Sequence, residues 1–303
     1  MLNQITGRHF YGRHARFDNA PGGMTEDEIR SAAPSVFATT AHESRSERFA
    51  PIPTIEILRG LRKEGFVVVG AKQSVTRIPG KDDFTKHLIR LRKEGDNSFA
   101  VGDTVAEMLL KNANDGTSVY DLFAGLFRIA CLNSLVTMSQ NVSAVKVRHT
   151  GKNVIDNVIE GTFTVVEDAK LALAAPQDWP KIVLDREERL AFAEAARVLR
   201  FGDEEGNVNT PITANQLLTT RRSADMENNL WVNFNTIQEN AIRGGLKGTR
   251  IDTTVRRGRR RVTTRAVNGI DQDVKLNRAL WTLANEMAKM KGWKSPQEAA
   301  ATA

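Results

Sequence analysis

The chain holds one cysteine, Cys131, in 303 residues. That scarcity excludes an internal disulfide framework and any zinc site built from several thiolates. A reducing, cytoplasmic setting is the expectation that follows. No apolar run reaches the roughly 18–20 residues a membrane span requires, so no membrane partner is expected. The N-terminal MLNQITGRHFYGRHARF is basic but lacks the apolar stretch of a secretory signal. The five histidines, His9, His14, His42, His87 and His149, are scattered, and no pair of them makes a metal site. Catalytic signatures are missing too: there is no Gly-Lys-Ser/Thr loop, no Gly-x-Ser-x-Gly elbow and no His-Glu-x-x-His. No cofactor is expected.

Positive charge is what the chain has in excess, with 43 Lys and Arg against 36 Asp and Glu. The excess is clustered. From Arg250 to Arg265 there are seven arginines and a single acid, Asp252. Such clustering suits a polyanion, although a solvated basic loop would look the same in sequence. The remaining composition, 41% hydrophobic and 26% charged, is that of an ordinary globular protein.

Three regions are expected: a flexible N-terminal arm over 1–45, an α+β core over 46–205, and a helical C-terminal region over 206–303. The arm mixes Arg8, Arg13 and Arg16 with Phe10, Tyr11 and Phe17, then meets Pro21-Gly22-Gly23. In the core, Ile55, Leu58 and Leu61 recur at helical spacing and Gly65 marks a stop. FVVVGAKQSVTRI and FTKHLIRLRK read as strands, and a third runs from about Thr104 to Asn112. Ser118 and Asp121 have capping-box spacing and predict a long apolar helix through Met138. A short strand, AVKVRHT, and a helix from about Val154 to Ala174 follow. Further helices are expected after Asp185, after Thr213, over LWVNFNTIQENAIR and from near Asp273, with a basic linker over 250–265. The fold class is therefore α+β: a helix, a three-stranded antiparallel meander, a long helix and strand, then helices.

Several residues carry candidate chemistry. Lys86, Arg90 and Arg92 alternate along one strand, and a row of cations on one face can track a nucleic-acid backbone. Arg128, placed in the apolar helix, needs an acceptor, either an internal acid or a bound anion. Arg148 and His149 could orient a phosphate. Arg256, Arg257, Arg259, Arg260 and Arg261 form the densest basic run. The Asn112–Thr117 turn is either a backbone device or a phosphate-holding helix start. Cys131 reads as a small core hydrophobe.

SERFAPIPTIEILRGLRKEGFVVV, HLIRLR, NANDGTSVYDLFAGLFRIACLNSLV and LWVNFNTIQEN together resemble a phage- and plasmid-associated family classed as domain of unknown function 932. The resemblance runs from about Ser46 to the final helix and implies no activity. The order helix, meander, long helix is also similar to the core of single-strand annealing recombination proteins. That similarity implies a basic groove near Lys86, Arg90, Arg92 and Arg128, in a homo-oligomeric ring or filament. The expected function is non-catalytic binding or annealing of single-stranded DNA in recombination. The alternatives are a metal-dependent hydrolase using Asp115 and Asp121, and a structural or host-interaction protein.

Overall fold

A computed structural model describes residues 9–10, 15–17, 22–95, 100–128, 133–136, 145–147, 154–251 and 258–301. In chain order the elements begin with β1 (His9–Phe10), β2 (Ala15–Phe17), α1 (Glu26–Ala32), α2 (Thr54–Lys63), β3 (Phe66–Gln73) and β4 (His87–Lys93). They continue with β5 (Ala100–Val101), β6 (Thr104–Asn112), β7 (Tyr120–Arg128), β8 (Asn133–Val136), β9 (Val145–Val147) and α3 (Val154–Ala172). The rest comprises α4 (Ala174–Asp178), α5 (Arg186–Phe201), α6 (Ala214–Leu217), α7 (Leu230–Arg243), β10 (Lys247–Ile251), β11 (Arg259–Thr263), α8 (Ile270–Met290) and α9 (Pro296–Ala301). The class is α+β, as its sequence indicates. Two compact units form: Met1–Ala100, Val105–Phe127 and Gln140–Leu173 in the first, Val101–Thr104, Arg128–Ser139 and Ala174–Ala303 in the second. Residues 22–45, part of the expected arm, include α1, which opens with a Thr25–Glu28 capping box.

The first unit is built on a sheet in the order β1-β2-β3-β4-β6-β7, with β9 beside β7. β2 with β3, β3 with β4, and β4 with β6 pair antiparallel. The expected meander of three strands is β3, β4 and β6. α2 buries Ile55, Ile57, Leu58 and Leu61, the face its spacing indicates.

The long helix expected after Ser118 is a strand instead. All nine residues of β7 are buried, so both its faces are covered. A strand covered on both sides loses its period-2 signature and reads like a buried helix. Its Tyr120, Phe123 and Phe127 favour the pleated form. The Ser118 hydroxyl donates to the Val119 carbonyl, and Asp121 faces Lys111 at 3.7 Å. Without that helix, the element order behind the annealing similarity is not the one this chain adopts.

The Asn112–Thr117 turn is a staple. Asn114 accepts from Ile52 N at 3.2 Å and donates toward the Ala38 and Ile52 carbonyls, while its own backbone bonds to His42 and Phe84. Asp115 accepts from Thr117 N at 2.9 Å and pairs with Lys81 at 3.1 Å. Gly116 has φ 76°, and a Cβ there would lie 2.6 Å from Arg45 Nη1. Beside the turn, a fully buried His87 bridges Ser35 Oγ and Thr54 Oγ1, each at 2.9 Å, and Asn112 Nδ2 donates to Thr54 at 3.0 Å.

In the second unit α5, α7 and α8 pack together. α5 starts on the Asp185–Glu188 capping box and α7 on Asn229, both at their expected places. All four tryptophans gather here, with the Trp179 ring 4.8 Å from Trp281, 6.0 Å from Trp293 and 6.1 Å from Trp231. α7 is buried from Leu230 to Ala241, and several of its polar residues are bonded inside: Gln238 donates to Asn277 at 2.8 Å, Asn240 to the Leu217 and Thr219 carbonyls, while the buried Thr236 hydroxyl has no hydrogen-bond partner among the described residues.

Burial pushes the His87 imidazole down to about 3, from an ordinary 6.5. Below pH 6.5 the unfolded chain takes up a proton at this position that the folded chain refuses. Stability contributed by His87 is therefore complete above pH 6.5 and falls as the medium is acidified toward pH 3, by about 1.4 kcal/mol per pH unit. Urea unfolding across this range should show that slope reduced by one proton in His87→Gln; an unchanged slope would remove the histidine from the acid response.

Candidate nucleic-acid interface

The strand face expected to carry a row of cations carries a buried ion cluster instead. Arg90 Nε and Nη2 donate to Glu107 Oε2 and Oε1 at 2.6 and 2.8 Å, and Arg92 Nη2 donates to Oε1 at 2.6 Å. Arg90 lies opposite Leu109 across the β4–β6 ladder, which puts Glu107 diagonally adjacent on the same face. The Arg90 guanidinium also covers the Phe127 ring, 3.8 Å from its centroid. Burial works against the Glu107 charge, but the two guanidiniums overcome it and hold the carboxyl below its ordinary range. Lys86 sits one residue before β4, half-buried. An exposed basic strand face is thus not present among these residues.

Arg128 closes β7 and is engaged internally as well. Its Nε donates to Asp103 Oδ2 at 2.9 Å, and its Nη1 lies 2.8 Å from Asp225 Oδ1. Asp225 also pairs with Arg222, which reaches Glu239 at 2.7 Å, and Glu239 takes Arg243 at 2.6 Å. Charges alternate in sign along this chain, and the buried acids Asp225 and Glu239 are each flanked by arginines. No group of three metal-ligating side chains occurs among the described residues. Arg148, His149, Cys131, Arg256 and Arg257 lie outside the described residues.

Arg259, Arg260 and Arg261 form a run of three adjacent exposed cations. They lie on β11, which pairs antiparallel with β10 in a two-stranded ribbon where a basic linker was expected. All three are exposed, and none has an ion pair among the described residues. Alternation separates the faces: Arg259, Arg261 and the cross-strand Lys247 share one, Arg250 and Arg260 the other. Arg259 and Arg261 are two residues apart, about 7 Å along the strand.

The ribbon is clamped at its base. Thr264 N donates to the Leu246 carbonyl and Gly245 N to the Thr264 carbonyl, both at 2.9 Å. Arg221 Nη2 holds the Gly244 carbonyl at 2.6 Å, and Arg200 Nη2 holds the Arg265 carbonyl at 3.0 Å. Gln216 donates to the Lys247 carbonyl at 2.7 Å. A Cβ on Gly248 would lie 2.9 Å from Pro211 Cγ, so the ribbon needs glycine for this approach. Arg250 Nη2 donates to the Asn209 carbonyl at 2.8 Å. Lys247 and Arg250 are therefore functional candidates that sequence reasoning did not select. The β-branched Thr249, Ile251 and Val262 were the strand signal, masked by three identical residues in a row.

Residues 41–281 match the family described as Domain of unknown function (DUF932). The chain is 42% identical to the UPF0380 protein YafZ of Escherichia coli (strain K12) over 270 residues, covering 87% of this chain and 91% of that protein. It is 40% identical to the UPF0380 protein YfjQ of the same strain over 264 residues, with the same two coverages. No solved structure matches the chain.

Replacing Glu107 by Ala removes the carboxylate that two guanidiniums share in the core. The expected loss is about 3–5 kcal/mol in denaturant unfolding followed by circular dichroism. A loss below about 1 kcal/mol would show that the carboxylate does not hold the cluster.

Proposed function

The chain belongs to the family described as Domain of unknown function 932, and from that premise we propose that it binds DNA, gripping the phosphate backbone with the β10–β11 ribbon. One observation carries this reading: three consecutive arginines stand exposed, with no ion pair among the described residues, on a ribbon clamped at its base. The clamp fixes the backbone that carries them, and the planar guanidinium fork matches phosphate oxygens.

A two-stranded ribbon fits the major groove of a duplex. No aromatic residue lies between Gly244 and Gly269 to stack unpaired bases. Duplex DNA is the better fit on both counts, and single-stranded DNA is the second substrate to test. Annealing would draw on a groove near Arg90, Arg92 and Arg128, and these are engaged inside the fold. A carboxylate-and-metal hydrolase has weaker support, because Asp115 pairs with Lys81 and Asp121 faces Lys111. Among the described residues no helix is long and apolar enough to cross a membrane.

Gel shifts with duplex and single-stranded oligonucleotides over a salt series, with light scattering for the oligomer mass, test the reading. Affinity should fall steeply with salt. The triple variant Arg259→Ala, Arg260→Ala, Arg261→Ala should reduce the slope of log K against log salt by about 2–3 on duplex DNA. An unchanged slope would take the ribbon out of the interface, and absence of binding at low salt would end the reading.

A further inference from the structure

We propose that Arg250 and Arg260 form a two-arginine site for a single phosphate group, with Asn209 as the residue that positions it. The proposal rests on the ribbon being the DNA interface and gives one of its two faces a particular task. Arg250 and Arg260 are direct cross-strand partners. Directly opposed residues have Cβ atoms about 5 Å apart, and like charges so placed destabilise a ribbon. Among the described residues no acid lies within ion-pair distance of either arginine. A shared anion turns that repulsion into attraction.

The geometry distinguishes this pair from the other arginines. Arg259 opposes Ile251 and Arg261 opposes Thr249, so each is a single cation on the opposite face. On the Arg250 face the ribbon approaches the 209–212 segment, with Gly248 against Pro211 and Ile212. There the Asn209 carbonyl and side-chain oxygen accept from Arg250 Nη2 at 2.8 and 3.3 Å. That bond anchors one corner of the guanidinium at Nη2, and the Nε and Nη1 edges have no partner among the described residues. Arg260 stands opposite with its whole fork available. Two planar forks, one of them already anchored, can both donate to one tetrahedral anion, which a pair of lysine point charges could not do with the same directionality.

The phosphate could be an internal diester or a terminal monoester of the same DNA. A double-mutant cycle on the full chain, read as Kd for duplex oligonucleotides with and without a 5′-phosphate, tests the site. Arg250→Ala and Arg260→Ala should each weaken binding roughly tenfold. Because they serve one group, the double variant should be no more than about threefold weaker than the weaker single. Arg259→Ala combined with Arg260→Ala should instead multiply. Pairing Arg250→Lys with Arg260→Lys keeps the charge but removes the forks, and should lose affinity like the alanine pair; full retention overturns the shared site. A preference for 5′-phosphate that vanishes in the double variant assigns the terminal group, and equal affinities assign the internal one. If the wild type binds DNA but the two alanine losses simply multiply, the ribbon remains an interface without a shared site. If the wild type binds no DNA at low salt, both this proposal and the reading beneath it fall. Unchanged melting curves for the lysine pair confirm that the ribbon is folded in the comparison.

Discussion

Glu107 is the residue on which the sheet of the first unit depends. It lies buried in the middle of β6, between Ala106 and Met108, and accepts from two arginines of the neighbouring strand. An ionised carboxylate in that position is tolerable only if cations come with it, and Arg90 and Arg92 are tolerable only because it is there. The triad consequently selects the register of β4 against β6, since a one-residue slip would move Glu107 to the other face. It also explains why a strand with alternating cations does not face solvent. Its charge is spent on specifying the core.

The second unit uses the same logic along a longer path. Asp103, Arg128, Asp225, Arg222, Glu239 and Arg243 alternate in sign, joining a turn, a strand end and a fully packed helix. Of the arginines that might be counted toward a basic surface, a substantial share is thus neutralised inside. The ribbon differs because its arginines meet no acid among the described residues. Net charge alone would not have separated the two populations, since both contribute equally to a formal +7.

Much of the fold is readable from the chain. Capping residues and stop glycines placed α2, α5 and α7 closely, because these signals are local and do not depend on what the helix packs against. β7 was not readable, since a doubly buried strand and a buried helix share one composition. The interface was half readable. Arg259, Arg260 and Arg261 stood out by density, whereas Arg90, Arg92 and Arg128 looked equally eligible until their acids were located. Glu107 was the available warning, a lone acid inside TVAEMLLKN that had to be matched somewhere. Asp225 and Asp103 gave no such warning, lying far from Arg128 in sequence or in a polar turn.

The tryptophan cluster has a consequence for anyone who studies this protein in solution. Trp179, Trp231, Trp281 and Trp293 all belong to the second unit, and the first unit contains none. Intrinsic emission excited at the red edge, where tyrosine does not absorb, therefore sees one half of the molecule. A melt followed by that light can finish before, or begin after, the loss of the sheet that circular dichroism follows. Disagreement between the two optical signals would measure how independently the halves come apart, without any label or truncation.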